Sequence, residues 1–427
     1  MYLRAVVVAL FAVTRGVAAQ DQVTGNWEGY WLRAGDTMPV RMRVQRDSGT
    51  GYSAAFDVDR LRVIGIPFNE VTVQGCCDVT FTVRGDRTTT TLIGRVRGDS
   101  LSGTLREGES EGRFAFFRSA AGAASDEEEI TFTNGSVTLA GSLILPATGT
   151  SLPAVVFLQG SGPEGRWASR FLATQVVSQG FAALIFDKRG VGKSSGDWRR
   201  ATPDDLATDG AAAVTRLSQE PRINPARIGI YGHSQGGTLA PLVAARSGKV
   251  AFVIGSAAAG VPTDSTEIYS ILNSVYPQAT TAGDSASARR YTNELVAVAY
   301  HGRSRGRLDS LVSKLSSRPW FFPPPATDNA YWSFSKVFAQ YRPLDWWAKV
   351  QVPVLLIYGA EDQRVPPGES AARITAAMLR ANHSADVTVR IFPGADHTFR
   401  LPPGPSGWPV TAPNYSSTLL QWLALRR

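Results

Sequence analysis

Hydrophobic and polar positions change their rhythm once along this chain. From about residue 20 to residue 119, apolar residues alternate with polar ones in short runs broken by Gly and Asp. Examples are VRMRVQ (Val40–Gln45), DVTFTVRG (Asp78–Gly85), TTLIGRVRG (Thr90–Gly98) and GRFAFFR (Gly112–Arg118). A period of two with regular turn signals predicts a small antiparallel all-β domain, a barrel or a sandwich, over residues 20–119. The opening GNWEGYW supplies large aromatic residues for its core. The alanine-rich AAGAASDEEE, residues 120–129, reads as a linker.

A different pattern follows over residues 130–427. ITFTNGSVTLAGSLIL (Ile130–Leu145) reads as a hairpin with Asn134-Gly135 at its turn. Short apolar runs then alternate with longer helix-like segments. The runs are Ala154–Leu158, Ala182–Phe186, Ile228–Tyr231, Phe252–Gly255, Val354–Tyr358 and Val387–Phe392. Strands buried on both faces look like this, and their alternation with helices predicts a mostly parallel, doubly covered α/β sheet. Between the fourth and fifth runs, residues 259–349 exceed what a crossover needs and predict an inserted cap, helical over Ala286–Tyr300 and Arg307–Leu315.

Composition narrows the class. A chain of 427 residues with 43% hydrophobic and 19% charged residues is globular and too long for one ordinary core. The net charge of +8 is scattered, without basic runs or interleaved aromatics, which argues against nucleic-acid binding. MYLRAVVVALFAVTRGVAA, residues 1–19, has the layout of a short cleavable signal, so a secreted or periplasmic protein is expected. Its apolar run is too short to span a bilayer, and stable membrane insertion is not expected. The two cysteines, Cys76 and Cys77, are adjacent, below the usual Cα separation for a bridge; the expectation is two unbridged strand residues facing opposite sides.

Chemistry concentrates in IGIYGHSQGGT (Ile228–Thr238). Gly232-His-Ser-Gln-Gly236 places Ser234 between an apolar run and a helical one, in the G-x-S-x-G pattern. A nucleophilic serine there needs a sharp strand-to-helix turn, and the flanking glycines let neighbouring backbone pass close. Serine also needs a base and an orienting carboxylate. Of four histidines, His233 adjoins the nucleophile, His301 lies in the cap and His383 in a helix-end loop. His397 follows the last apolar run, where such sheets carry their sites, and is the expected base. Asp362, just past Tyr358 in YGAEDQRVP, is placed ahead of Glu361 and Asp396 as the acid. The backbone amide of Gln235 is one expected oxyanion donor. The loop LQGSGP (Leu158–Pro163) supplies the other, the Ser161 amide with Gly160 as its hinge. No metal-ligand spacing and no phosphate loop is present, so no cofactor is expected.

The order Ser234, Asp362, His397 is that of α/β-hydrolases, which the chain resembles from about Glu129 onward. The whole mature chain is similar to EstD-like bacterial esterases, which place a β domain before a hydrolase domain of the serine aminopeptidase S33 type. The resemblance rests on LQGSGPEGR (Leu158–Arg166), FDKRGVGKSSG (Phe186–Gly196), IYGHSQGG (Ile230–Gly237), GAEDQRVP (Gly359–Pro366) and GADHTF (Gly394–Phe399). Gln159 departs from it, standing where many relatives have histidine. The resemblance implies a carboxylesterase on short- to medium-chain acyl esters with a small-molecule substrate, and a structural role for Asp187. The cap aromatics in PWFFPPP (Pro319–Pro325), AYWSF (Ala330–Phe334) and DWW (Asp345–Trp347) are candidates for a substrate lining. Two other readings stand beside the esterase: a peptidase of the serine aminopeptidase type with the same triad, and an inert domain that binds a ligand.

Overall fold

The computed structural model describes residues 22–426 apart from 50, 85–87, 121–125, 276–278 and 280. The signal segment read from residues 1–19 lies outside the described residues, as does the middle of the expected linker. The chain divides into two compact units; the first holds residues up to 121 except Val58–Ile64, which group with the second.

The first unit is one antiparallel sheet. Its strands are β1 (Gly25–Arg33), β2 (Asp36–Arg46), β3 (Tyr52–Val58), β4 (Val63–Pro67), β5 (Glu70–Gln74), β6 (Asp78–Arg84), β7 (Thr89–Arg97), β8 (Ser100–Glu107) and β9 (Ser110–Ser119). Their order is β4-β3-β2-β1-β9-β8-β7-β6-β5, a half-barrel of a single sheet rather than a two-sheet sandwich. Alternation sorts the side chains as expected: on β2, Met38, Val40, Met42 and Val44 are buried while Arg41 and Arg43 face solvent. Trp27 and Trp31 enter the core, and Tyr30 between them points outward.

One expectation for this unit is corrected. Cys76 and Cys77 form a disulfide across a Cα separation of 3.7 Å. The reading assumed a strand, but β5 ends at Gln74 and β6 begins at Asp78, with those two residues paired. The cysteines therefore sit in a tight loop opened by Gly75 at φ 62°, where strand alternation does not hold them apart.

The second unit starts with β10 (Asp126–Asn134) and β11 (Val137–Leu145). These are followed by β12 (Leu152–Leu158), α1 (Trp167–Ser178), β13 (Ala182–Phe186), α2 (Pro203–Ser218), β14 (Ile223–His233), α3 (Gln235–Ser247) and β15 (Phe252–Ser256). Next come α4 (Thr263–Val275), α5 (Ala282–His301), α6 (Gly306–Leu315), α7 (Ala330–Phe338) and α8 (Pro343–Trp347). The chain closes with β16 (Val354–Gly359), α9 (Pro367–Ala381), β17 (Val387–Phe392) and α10 (Tyr415–Ala424). The eight-stranded sheet runs β10-β11-β13-β12-β14-β15-β16-β17, with β10 and β11 antiparallel to their neighbours and the rest parallel.

Successive residues of the central strands feed opposite layers. Val156, Ile230 and Leu356 pack with α2, α3 and α9, whereas Val155, Tyr231 and Leu355 pack with α1 and α10. The doubly covered sheet expected from the apolar runs is present, and α4 to α8 form the insertion between β15 and β16.

Two local boundaries shift. Asp126–Glu129, read as linker, belongs to β10: its backbone pairs with Ser142–Leu145 of β11, and its carboxylates meet basic side chains from beyond the sheet, Glu127 with Arg170, and Glu129 with Arg166 and Lys193. The hairpin turn is Gly135-Ser136 rather than Asn134-Gly135, since Asn134 still pairs with Val137. The Asn134 side chain instead donates to Thr208 and Asp209 on α2.

Candidate active site

Ser234 occupies the bend between β14 and α3 with φ 55° and ψ −117°, a conformation L-residues rarely adopt. Close packing enforces it. A Cβ on Gly232 would lie 2.3 Å from the Gly236 carbonyl carbon, and one on Gly236 would lie 2.7 Å from the carbonyl oxygens of Leu158 and Gln159. The Ser234 amide donates to Ser256 of β15 at 2.8 Å, and its carbonyl accepts from the Thr238 amide and hydroxyl on α3. The hydroxyl thus stands off the sheet edge at the start of α3, whose first amides are unpaired within the helix.

His397 lies in the loop after β17. Its Nε2 is 3.0 Å from the Ser234 hydroxyl, and its Nδ1 is 2.8 Å from Oδ2 of Asp362. Asp362, in the loop after β16, is 1% exposed. Its other oxygen accepts the amides of Arg364 and Val365 at 2.7 and 2.9 Å, so both carboxylate oxygens are committed. The carriers of these two side chains touch: Gly359 passes so near Ala395 and Asp396 that a Cβ would lie 2.2 Å from the Asp396 carbonyl oxygen. The rival acids point elsewhere. Glu361 is exposed, and Asp396 caps its own turn through Thr398 and Arg400.

The remaining histidines are also placed. His301 pairs with Asp264 at 3.1 Å within the cap, and His383 is exposed. His233 shares Nδ1 with the Ser256 hydroxyl at 3.2 Å, and its ring lies 4.9 Å from that of His397. Burial, with the nearby His397, holds its pKa well below the usual histidine range. A neutral His233 adds no positive charge beside the imidazole of His397.

The loop after β12 brings Ser161 to the same pocket as Ser234, Gln235 and His397. Gly160 does not face it: its amide donates to Oε2 of Glu164 at 2.6 Å, and a Cβ there would lie 2.9 Å from that carboxylate. A side chain at this position would displace the Glu164 carboxylate from the Gly160 amide, a contact the sequence did not show. Gln159 sends its side-chain amide to the Phe186 carbonyl at the end of β13, a donor role an imidazole N–H could also serve. Asp187 accepts from the Arg166 amide and guanidinium and from the Lys193 amide, so its work is structural.

The pocket has a volume of about 600 Å³. Of the three aromatic clusters singled out in the cap, only AYWSF reaches it, through Phe334, which stacks on Phe338 at 4.5 Å. Trp320 packs inside the cap and Trp347 beneath it in the sheet's core. Glu267 of α4 also lines the pocket, beside Thr266 and Tyr300. Burial raises its carboxyl pKa, and the Tyr331 hydroxyl and Arg364, which act the other way, do not offset this. Nothing in its sequence context, TDSTEIYS, marked it. The cap is tied to the site by two tyrosines: Tyr269 donates to the Asp362 carbonyl and Tyr341 to the Thr238 carbonyl.

Comparison with known proteins places this geometry in context. The chain is 36% identical over 111 residues to Uncharacterized protein PA2218 of Pseudomonas aeruginosa, covering 25% of this chain and 30% of that protein. It is 30% identical over 127 residues to Quorum-quenching protein AidA of Acinetobacter baumannii, covering 30% and 42% respectively. Both matches span less than half of the relative's length. Among solved structures, DcsB in complex with its substrate analogue superposes with a TM-score of 0.47 at 19% identity, covering 70% of this chain and 98% of that one. The family model Hydrolase_4, serine aminopeptidase, S33, matches residues 150–401, more than half of the chain. By that match the protein belongs to the serine aminopeptidase S33 family of α/β-hydrolases, here preceded by an antiparallel β domain.

Proposed function

We propose that the protein is a serine carboxylic ester hydrolase acting on short- to medium-chain acyl esters. One observation carries the reading: the unbroken line from the Ser234 hydroxyl through His397 to the buried Asp362 carboxylate. In this scheme the Ser234 Oγ attacks the ester carbonyl while His397 Nε2 takes its proton. The negative charge on the former carbonyl oxygen is received by the amides of Ser161 and Gln235. His397 then returns the proton to the leaving alkoxide, and an acyl-enzyme forms on Ser234. Water, deprotonated by the same imidazole, attacks the acyl carbon; collapse of the tetrahedral intermediate restores the serine and releases the acid. Asp362 fixes the tautomer with the proton on Nδ1 and steadies the imidazolium.

The test is Ser234→Ala, measured on p-nitrophenyl acyl esters and by labelling with a fluorophosphonate. Expected is a fall in kcat of about 10⁴- to 10⁶-fold and loss of the label, with the melting transition retained. Near-normal turnover by this variant would overturn the reading, and failure of the wild type to label would support an inert domain instead.

A second reading has its own observation. A peptidase of the aminopeptidase type needs a carboxylate within reach of the substrate amine, and Glu267 offers one inside the pocket. The comparison is between acyl esters and aminoacyl anilides on the wild type and on Glu267→Gln. Preference for anilides, lost in the variant, would favour the peptidase.

A further inference from the structure

A buried cation stands behind the pocket loop. Lys188, in the turn after β13, is 3% exposed. Its ammonium carries three N–H donors, and three acceptors meet them: the Gly160 carbonyl, the Gly162 carbonyl at 2.9 Å and the Gln235 side-chain oxygen at 3.2 Å. A lysine kept merely for solubility would place its charge in water.

The geometry of the peptide unit gives this arrangement a consequence. In a trans peptide the carbonyl and the following N–H point in opposite directions. Drawing the Gly160 carbonyl toward Lys188 therefore turns the Ser161 N–H away from Lys188. The Gly162 carbonyl precedes Pro163, which has no N–H, so the same pull there turns no further donor outward. Gly160's own amide is held by Glu164. The third acceptor belongs to Gln235, the residue whose backbone N–H opens α3 beside Ser234.

We propose that Lys188 is a positioning residue for acyl transfer, its ammonium fixing the aim of the Ser161 and Gln235 amides that receive the developing oxyanion. This rests on the reading of Ser234 as nucleophile. Donors fixed in advance stabilise the transition state without reorganising during the reaction, and their loss lowers kcat more than it raises KM.

The charged groups around Lys188 are mostly committed. Asp187 is held by Arg166, and Arg189 is held by Asp209 and Asp205 of α2. That leaves Glu164, from the loop after β12, as the carboxylate that supports the ammonium. Burial outweighs Glu164 and lowers the pKa of Lys188 to about 8. The hold on the loop is thus present at neutral pH and is lost as pH rises through that value.

Lys188→Met tests the inference. Expected is a fall in kcat of about 10²- to 10³-fold, with KM changed by less than about threefold. A folded variant with kcat near that of the wild type overturns it, whatever its melting temperature. The wild type should also lose kcat as pH rises through about 8, a limb absent from the variant's residual activity. Should the variant not fold, the wild-type profile decides: a kcat flat from about pH 7 to about pH 9.5 overturns the proposal. Ser234→Ala is assayed alongside. If it remains active, the nucleophile reading itself fails; if it is dead while Lys188→Met is fully active, only the role of Lys188 falls.

Discussion

Ser234 and His397 are 163 positions apart in the chain, and their Oγ and Nε2 atoms are 3.0 Å apart in the structure. Three loops at one edge of a parallel sheet produce that meeting, and the third carries Asp362. Because Asp362 also accepts two backbone amides, Asp362→Asn should leave the loop formed while presenting the wrong partner to Nδ1. The expected result is a loss of about 10⁴-fold in kcat with little change in the melting transition. Steady-state kinetics with calorimetry on the same sample would check it, and a loss under tenfold would contradict the assignment.

Gly236 is constrained by backbone rather than by a movable side chain. Gly236→Ala would press a methyl against the carbonyl oxygens of Leu158 and Gln159, both at 2.7 Å. Relief requires β12 and α3 to separate, which shifts Ser234. Expected are a destabilisation of about 1–3 kcal/mol, as for other overpacked sites, and a fall in kcat. Urea unfolding beside an ester assay reads both, and unchanged stability would show that the bend tolerates a side chain.

The stacked pair Phe334 and Phe338 forms part of the apolar lining of the pocket, with Leu239 and Val365. Phe334→Ala should weaken turnover of longer acyl chains more than acetate, by about 1–3 kcal/mol or roughly ten- to a hundredfold in kcat/KM. A series of p-nitrophenyl esters from two to about ten carbons measures it. A uniform loss at every chain length would remove these rings from acyl recognition.

Asp187 gives the fold a dependence on pH. Burial alone would raise its carboxyl pKa, but hydrogen bonds from Arg166 and the Lys193 amide prevail and hold it below the usual range. A folded pKa below the unfolded one means stabilisation that is present above about pH 4 and is lost as pH falls through the folded value. Asp187→Asn should cost about 3 kcal/mol at neutral pH, the low end for a broken buried pair, since Arg166 keeps Glu129. It should also shrink the stability difference between pH 7 and about pH 3. Unfolding midpoints at both pH values test this.

What could be read beforehand divides by range. The two rhythms of apolar residues are local, and they signalled the antiparallel sheet, the central parallel strands and the helical insertion. Ser234 announced itself through a local motif, with glycines two positions to either side of it between an apolar run and a helical one. His397 and Asp362 were reached by counting histidines and by position after strands, which works because parallel sheets collect loops at one edge. Lys188, Glu164 and Glu267 left no such trace. Each is a charged residue in polar surroundings along the chain, and only burial by distant segments gives it meaning. The cysteine bridge was misjudged for a related reason: an alternating stretch hid a turn three residues long.

The cap leaves the sheet after β15 and returns at β16, neighbouring parallel strands that bracket no member of the Ser234–Asp362–His397 line. Exchange of that whole block would therefore replace the pocket walls carried by α4, α5 and α7 while Ser234, Asp362 and His397 stayed on their original scaffold. Under the proposed function, sequence drift confined to the insertion would leave the three reacting side chains in register with one another.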